Sequence, residues 1–152
     1  MVYMLLGTGF EETEAITPLD LLRRAGVEVV TVGLNGHVIR GSHGICVEAD
    51  IQIQDVDFKD LEMIILPGGL GGVASIRACK EAMEAVRWAW ENDKYTAAIC
   101  AGPTVLADLG ITDGKLITGT SAGCAVPFGL ALIAALKGQE EADRIAKQIV
   151  IR

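Results

Sequence analysis

The chain has 152 residues, 51% of them apolar and only 5% aromatic, which suits one domain over residues 1–152 with a core of Ala, Val, Ile and Leu. A net charge of −7 without a basic run argues against nucleic acid as a partner, and no apolar run reaches membrane-spanning length. No charged leader precedes the first apolar residues, and Cys46, Cys79, Cys100 and Cys124 form no C-x-x-C pair, so a cytoplasmic protein with free thiols and no metal site is expected.

Val2 to Leu6 is an apolar run ended by Gly7 and Gly9, the pattern of a buried strand and turn. Glu11 to Ala25 reads as a helix, with acids at its start, Arg23 and Arg24 at its end and Gly26 as its stop. Pro18 cannot donate to the Glu14 carbonyl, so a kink is expected beside that carboxylate. Val27 to Val32 is a second buried strand. His37 to Ala49 has short β-like runs around Gly41 and Gly44, the mark of a hairpin. Met63 to Leu66 is a third core strand closed by the glycine turn Pro67 to Gly72, and Glu81 to Asn92 is an amphipathic helix. Thr96 to Ile99 is a fourth strand, followed by a helix just past Cys100. Leu116 to Thr118 is a short strand, and Pro127 to Lys137 and Gln139 to Ile149 are helical. Strands alternating with helices predict an α/β fold, a mostly parallel sheet with helices on both faces. Ligands of such sheets bind beyond the carboxyl ends of the strands.

Three segments at those ends carry chemistry. Cys100 lies in Thr96-Ala97-Ala98-Ile99-Cys100-Ala101-Gly102-Pro103, a strand-to-helix turn whose small neighbours leave the side chain exposed, as in a nucleophile elbow. A thiol at a helix N-terminus is expected to have a lowered pKa. Glu14, buried against Cys100, would have a raised pKa and exchange a proton near neutrality. The glycines of Pro67 to Gly72 let backbone N–H groups approach a ligand, as an oxyanion hole requires. Gly119-Thr120-Ser121-Ala122-Gly123 matches G-x-S-x-G and offers Ser121 as an alternative nucleophile, but His37 and His43 both lie upstream of it. No nucleotide-binding glycine pattern is present.

Taken together, GFEETEA (Gly9 to Ala15), PLDLLRRAGVEV (Pro18 to Val29), GSHGI (Gly41 to Ile45), ILPGG (Ile65 to Gly69) and AAICAGP (Ala97 to Pro103) resemble the ThiJ/PfpI superfamily, in its parkinsonism-associated, glyoxalase III-like deglycase branch. The resemblance implies a flavodoxin-like three-layer sandwich and a homodimer. It implies Cys100 as nucleophile, Glu14 as its acid/base partner, and the Gly69 and Ala101 amides as oxyanion donors. It implies cofactor-free action on 2-oxoaldehydes or glycated protein groups, with chaperone and oxidative-stress roles alongside. A non-catalytic redox sensor or chaperone using Cys100 and an intracellular peptidase or hydrolase are the alternatives. Ala101 stands where peptidase-like members carry histidine, which argues against proteolysis. Relatives also carry a few dozen residues, including a histidine near the cysteine, that are missing here between residues 110 and 116. Their late arginine and glutamate are replaced by Thr120 and Pro127.

Overall fold

The computed structural model describes residues 1–150. The chain runs from β1 (Val2–Leu6) through α1 (Glu12–Arg24) to β2 (Val29–Gly33), forms a hairpin of β3 (Val38–Arg40) and β4 (Cys46–Glu48), and adds the two-residue β5 (Ile51–Gln52). It continues through β6 (Met63–Leu66), α2 (Leu70–Ala78), α3 (Lys80–Glu91), β7 (Tyr95–Ile99), α4 (Pro103–Asp108), β8 (Leu116–Gly119), α5 (Ala125–Lys137) and α6 (Gln139–Gln148).

Six strands make one sheet in the order β5-β2-β1-β6-β7-β8, every pair parallel, while β3 and β4 pair antiparallel apart from it. β1 and β6 are buried at every position, as strands covered on both faces must be, and their residues are correspondingly almost all apolar. Residues of α1, α5 and α6 pack with Val2, Met4 and Leu6 on one face. Residues of α2, α3 and α4 pack with Tyr3, Leu5 and Leu66 on the other. This is the flavodoxin-like three-layer sandwich. No helix among the described residues is long and apolar enough to cross a membrane.

From β1 the strands are laid outward through β2 to β5, and the chain then returns to β6 on the other side and builds outward to β8. The order therefore reverses between β1 and β6. A crevice opens at that point beyond the strands' carboxyl ends, because successive connections leave in opposite directions. Glu14 follows β1, Gly68 and Gly69 follow β6, and Cys100 follows β7, so three distant segments meet at one crevice.

Most expected elements are present within two residues of their expected ends. α2 is a helix where a glycine turn alone was expected: Gly71 and Gly72 are poor helix formers, but burial of Val73 and Ile76 against the sheet overrides their propensity. The two-residue β5 is too short to leave a periodic signal. α1 continues through Pro18 as one helix. Residues 110–115 join α4 to β8 by a tied turn. Ile111 N–H donates to Leu106 O at 2.9 Å, Leu116 N–H donates to Gly114 O at 3.0 Å, and Lys115 pairs with Asp93 at 2.8 Å.

Thr96 in β7 is fully buried, and its Oγ1 has no hydrogen-bond partner. A buried unpaired hydroxyl costs stability, whereas valine has the same shape without the polar atom. Thr96→Val is expected to raise unfolding free energy by about 1 kcal/mol, read as a higher urea midpoint at unchanged slope.

Candidate active site

The turn after β7 is tight because three backbone groups are held at once. Cys100 N–H donates to Gly119 O at 3.0 Å, Gly102 N–H donates to Ile99 O at 2.9 Å, and Thr104 N–H donates to Ala101 O at 3.1 Å. Closing this turn puts Cys100 at φ 59°, a left-handed conformation uncommon for a side chain with a Cβ. That conformation, with Pro103 in the first helical turn, turns the Cys100 side chain away from the strand and into the crevice.

Glu14 reaches the same place from α1. Its residue is only 1% exposed, and its Oε2 accepts the Gly68 N–H at 2.9 Å. The carboxyl and the Cys100 side chain meet across Gly68, close enough that the thiol and the Ala122 amide both pull the Glu14 pKa down. Glu11 caps the helix, its Oε2 accepting Glu14 N–H at 2.8 Å, while its own N–H donates to Gly68 O at 3.0 Å. A side chain at Gly68 would overlap the Glu14 carboxyl and come within 2.8 Å of Cys100 Cβ, so only glycine lets the three segments close. Gly69 lies at φ 87°, and its amide, like that of Ala101, is close enough to the sulfur to pull the thiol pKa down.

The structure thus brings together Cys100, Glu14, Gly69 and Ala101. The expected lowering of the thiol pKa is corrected: burial pushes Cys100 above the ordinary thiol range and the Glu14 charge adds to it, outweighing the Ala101 and Gly69 amides that pull it down. Glu14 is likewise raised, by burial first and then by the Glu11 charge, against the hydrogen bonds from Cys100, Gly68 and Ala122. The Glu14 charge makes the thiol harder to ionise, whereas the neutral thiol, lying against the carboxylate, makes Glu14 easier to ionise.

Ser121 is exposed beside this site, since the next residue's amide touches Glu14. Neither histidine bonds to it: His37 Nε2 lies 2.9 Å from Gln52 Nε2, and His43 Nδ1 lies 2.9 Å from Glu12 Oε2. Sequence reading gave Glu12 and His43 no role at the site. Glu12 is buried, with Ser42 Oγ donating at 3.1 Å and His43 N–H at 2.7 Å to its carboxylate. Burial pushes Glu12 up, but these bonds outweigh it and hold the carboxyl at about 2. Hydrogen bonding to Glu12 and the nearby Glu11 charge raise His43 above the usual imidazole range. The ligand-type atoms of Glu11, Glu12 and His43 lie within 4.8 Å of one another. Only the hairpin's approach to α1 creates this cluster, which no short spacing could signal.

The DJ-1/PfpI family model matches residues 1–134, and the chain belongs to that family. It is 30% identical to protein dj-1beta of Drosophila melanogaster over 178 residues, covering 97% of this chain and 95% of the relative. That alignment has 178 positions against the 152 residues of this chain, so at least 26 have no counterpart here. The deglycase TK1284 of Thermococcus kodakarensis is 32% identical over 119 residues, 78% of this chain and 71% of the relative. Among solved structures, Drosophila DJ-1beta superposes with a TM-score of 0.94 at 29% identity, covering 99% of this chain and 97% of the other. An oxidized DJ-1 of Toxoplasma gondii superposes at 0.93, also at 29% identity, covering 98% and 97%.

The Glu14 charge beside the thiol predicts the pH dependence of Cys100. Its alkylation should set in above the ordinary thiol range, and Glu14→Gln, which removes that charge, should move the onset to lower pH. Peptide mass spectrometry of limited labelling across pH reads both, and an onset unmoved by Glu14→Gln would refute the coupling.

The Glu12–His43 contact predicts a stability window. Glu12 is depressed on folding, so its contribution is present above its ordinary 4.5 and is lost as pH falls toward about 2. His43 is raised, so its contribution is present below its ordinary 6.5 and is lost as pH rises through the raised value. Chemical denaturation of Glu12→Gln should therefore show its largest deficit between those ordinary values and none near pH 2.

Proposed function

We propose that this chain is a cofactor-independent, Cys100-dependent enzyme of the glyoxalase and deglycase type, acting on 2-oxoaldehydes or on groups glycated by them. The observation that carries this is the convergence of one thiol, one buried carboxyl and two backbone amides at the switch point of the sheet. The deglycase name of a 32% identical relative supports it.

The Cys100 thiolate adds to the aldehyde carbon, and the new alkoxide takes the proton held by Glu14, giving a hemithioacetal. The Glu14 carboxylate then removes the proton from that carbon, and the electron pair moves into an enediolate whose oxyanion the Gly69 and Ala101 amides hold. Returning the proton to the neighbouring carbon leaves a thioester of a 2-hydroxy acid. Water hydrolyses the thioester, releasing the acid and restoring the thiol. No electrons leave the substrate overall: one carbon is oxidised as its neighbour is reduced. Burial raises Glu14, so it holds a proton more readily than a free carboxyl, which suits a group used both as acid and as base.

A second reading is favoured by one observation: the Cys100 residue is exposed although its thiol lies against a carboxyl. An oxidant could reach the sulfur, and a protonated Glu14 could donate to the resulting sulfinate, making the same site a redox sensor. The homodimer, chaperone and stress roles, the cytoplasmic location and the protein or aldehyde partners belong to the same proposal and rest on family resemblance. We also assign the shortfall against relatives to residues 110–116, where one Asp113-Gly114-Lys115 serves as both the end of one unit and the start of the next. Catalysis then proceeds without the family histidine.

Lactate formation from methylglyoxal tests the enzyme reading. Cys100→Ser and Glu14→Gln should each lose at least roughly a hundredfold in turnover, while Glu14→Gln keeps its fold and an alkylatable Cys100. An inactive wild type whose Cys100 gains oxygen under mild peroxide would favour the sensor instead.

A further inference from the structure

Two amides must face one sulfur, and they belong to separate helices. Gly69 immediately precedes α2, and Ala101 lies two residues before α4. The β6–β7 ladder ends at Leu66 and Ala98, and among the described residues no hydrogen bond joins the turn at Gly69 to the turn at Ala101, so above the sheet their spacing also depends on how α2 and α4 are held together.

Arg77, in the last turn of α2, spans that gap. Its Nε donates to Asp108 at the end of α4, and its Nη2 donates to Thr104 Oγ1 at 2.9 Å. The Thr104 hydroxyl in turn donates to Ala101 O at 2.6 Å. A hydroxyl has one proton to give, and accepting from a guanidinium leaves that proton free for Ala101. Ala101 O is therefore held by both the N–H and the hydroxyl of Thr104. Cys100 N–H and Gly102 N–H are committed to Gly119 and Ile99, so the Cys100–Ala101 peptide, which carries the Ala101 N–H, lies between two peptides that are each held in place, the second of them through Ala101 O. Arg77 and Asp108 are 42% and 46% exposed, so as a plain ion pair they contribute little to stability.

We propose that Arg77, Thr104 and Asp108 form a clamp that positions the Ala101 amide, and with it the oxyanion pocket of Cys100. They are positioning residues: they act through the Ala101 peptide, and no substrate contact is assigned to them. Lysine cannot replace Arg77, because a point charge lacks the fork that serves Asp108 and Thr104 together. The inference rests on the reading of Cys100 as the reacting group.

Arg77→Ala, Thr104→Val and Thr104→Ser test it. In Arg77→Ala and Thr104→Val, alkylation of Cys100 at neutral pH should slow roughly tenfold and its onset move to higher pH, as expected when an aligned donor is lost. Labelling of Cys46 and the melting temperature should stay near wild type, and Thr104→Ser, which keeps the hydroxyl, should restore the rate. In methylglyoxal turnover the two damaging variants should lower kcat with little change in KM. Unchanged Cys100 labelling in both would overturn the clamp, as would slowing of Cys46 and Cys100 together with a fall in melting temperature. Should Arg77→Ala fail to fold, the near-isosteric Thr104→Val decides alone. Alkylation needs no substrate, so a wild type without turnover defeats the glyoxalase reading and leaves the clamp to be judged by labelling.

Discussion

The meeting of Glu14 and Cys100 across Gly68 is the contact on which the rest of this site depends. It joins a helix that follows the first strand to a turn that follows the seventh, across the place where the strand order reverses. Gly68 sits between them with room for a hydrogen atom only, and its amide is spent on the Glu14 carboxyl. The contact also governs the charge state, since the Glu14 charge holds the thiol up while burial holds Glu14 up.

Strain and compensation are local. Cys100 adopts a backbone conformation that costs of order 1–3 kcal/mol for an ordinary residue. Three backbone hydrogen bonds around the turn hold it there, one of them from the neighbouring strand β8. The helix N-terminus behind the turn still points amides at the sulfur, as the sequence suggested. Its effect on the thiol is smaller than those of burial and of a carboxylate in contact, because each amide carries a partial charge and Glu14 a whole one.

The surroundings of the site differ from what a family resemblance alone would supply. The late arginine and glutamate positions hold Thr120 and Pro127, and no histidine lies after Cys100. His43 comes instead from the hairpin and is tied to Glu12, with its side chain 73% exposed. Acidic groups thus line the α1 side of the site.

The strands and most helices were legible because their signals are local. Fully apolar runs mark doubly covered strands, a three-to-four residue repeat such as Ala82, Ala85, Val86 and Ala89 marks a helix face, and glycine and proline mark the ends. Cys100 was legible for the same reason, since a tight turn needs small neighbours on either side. The sequence alone therefore determined the order of elements, the parallel sheet and the exposed thiol. Only the tertiary structure decided what surrounds that thiol. α2 forms where glycines argue for a turn, because Val73 and Ile76 have a sheet to cover. The thiol pKa rises where the helix end predicted a fall, because desolvation and the Glu14 charge depend on neighbours some 86 residues away in the chain. The Glu12–His43 pair and the Arg77–Thr104–Asp108 clamp join segments about thirty residues apart with no spacing rule to reveal them. Local pattern reports which backbone a segment prefers, but charge, burial and hydrogen-bond geometry are set by whichever segments the fold packs together.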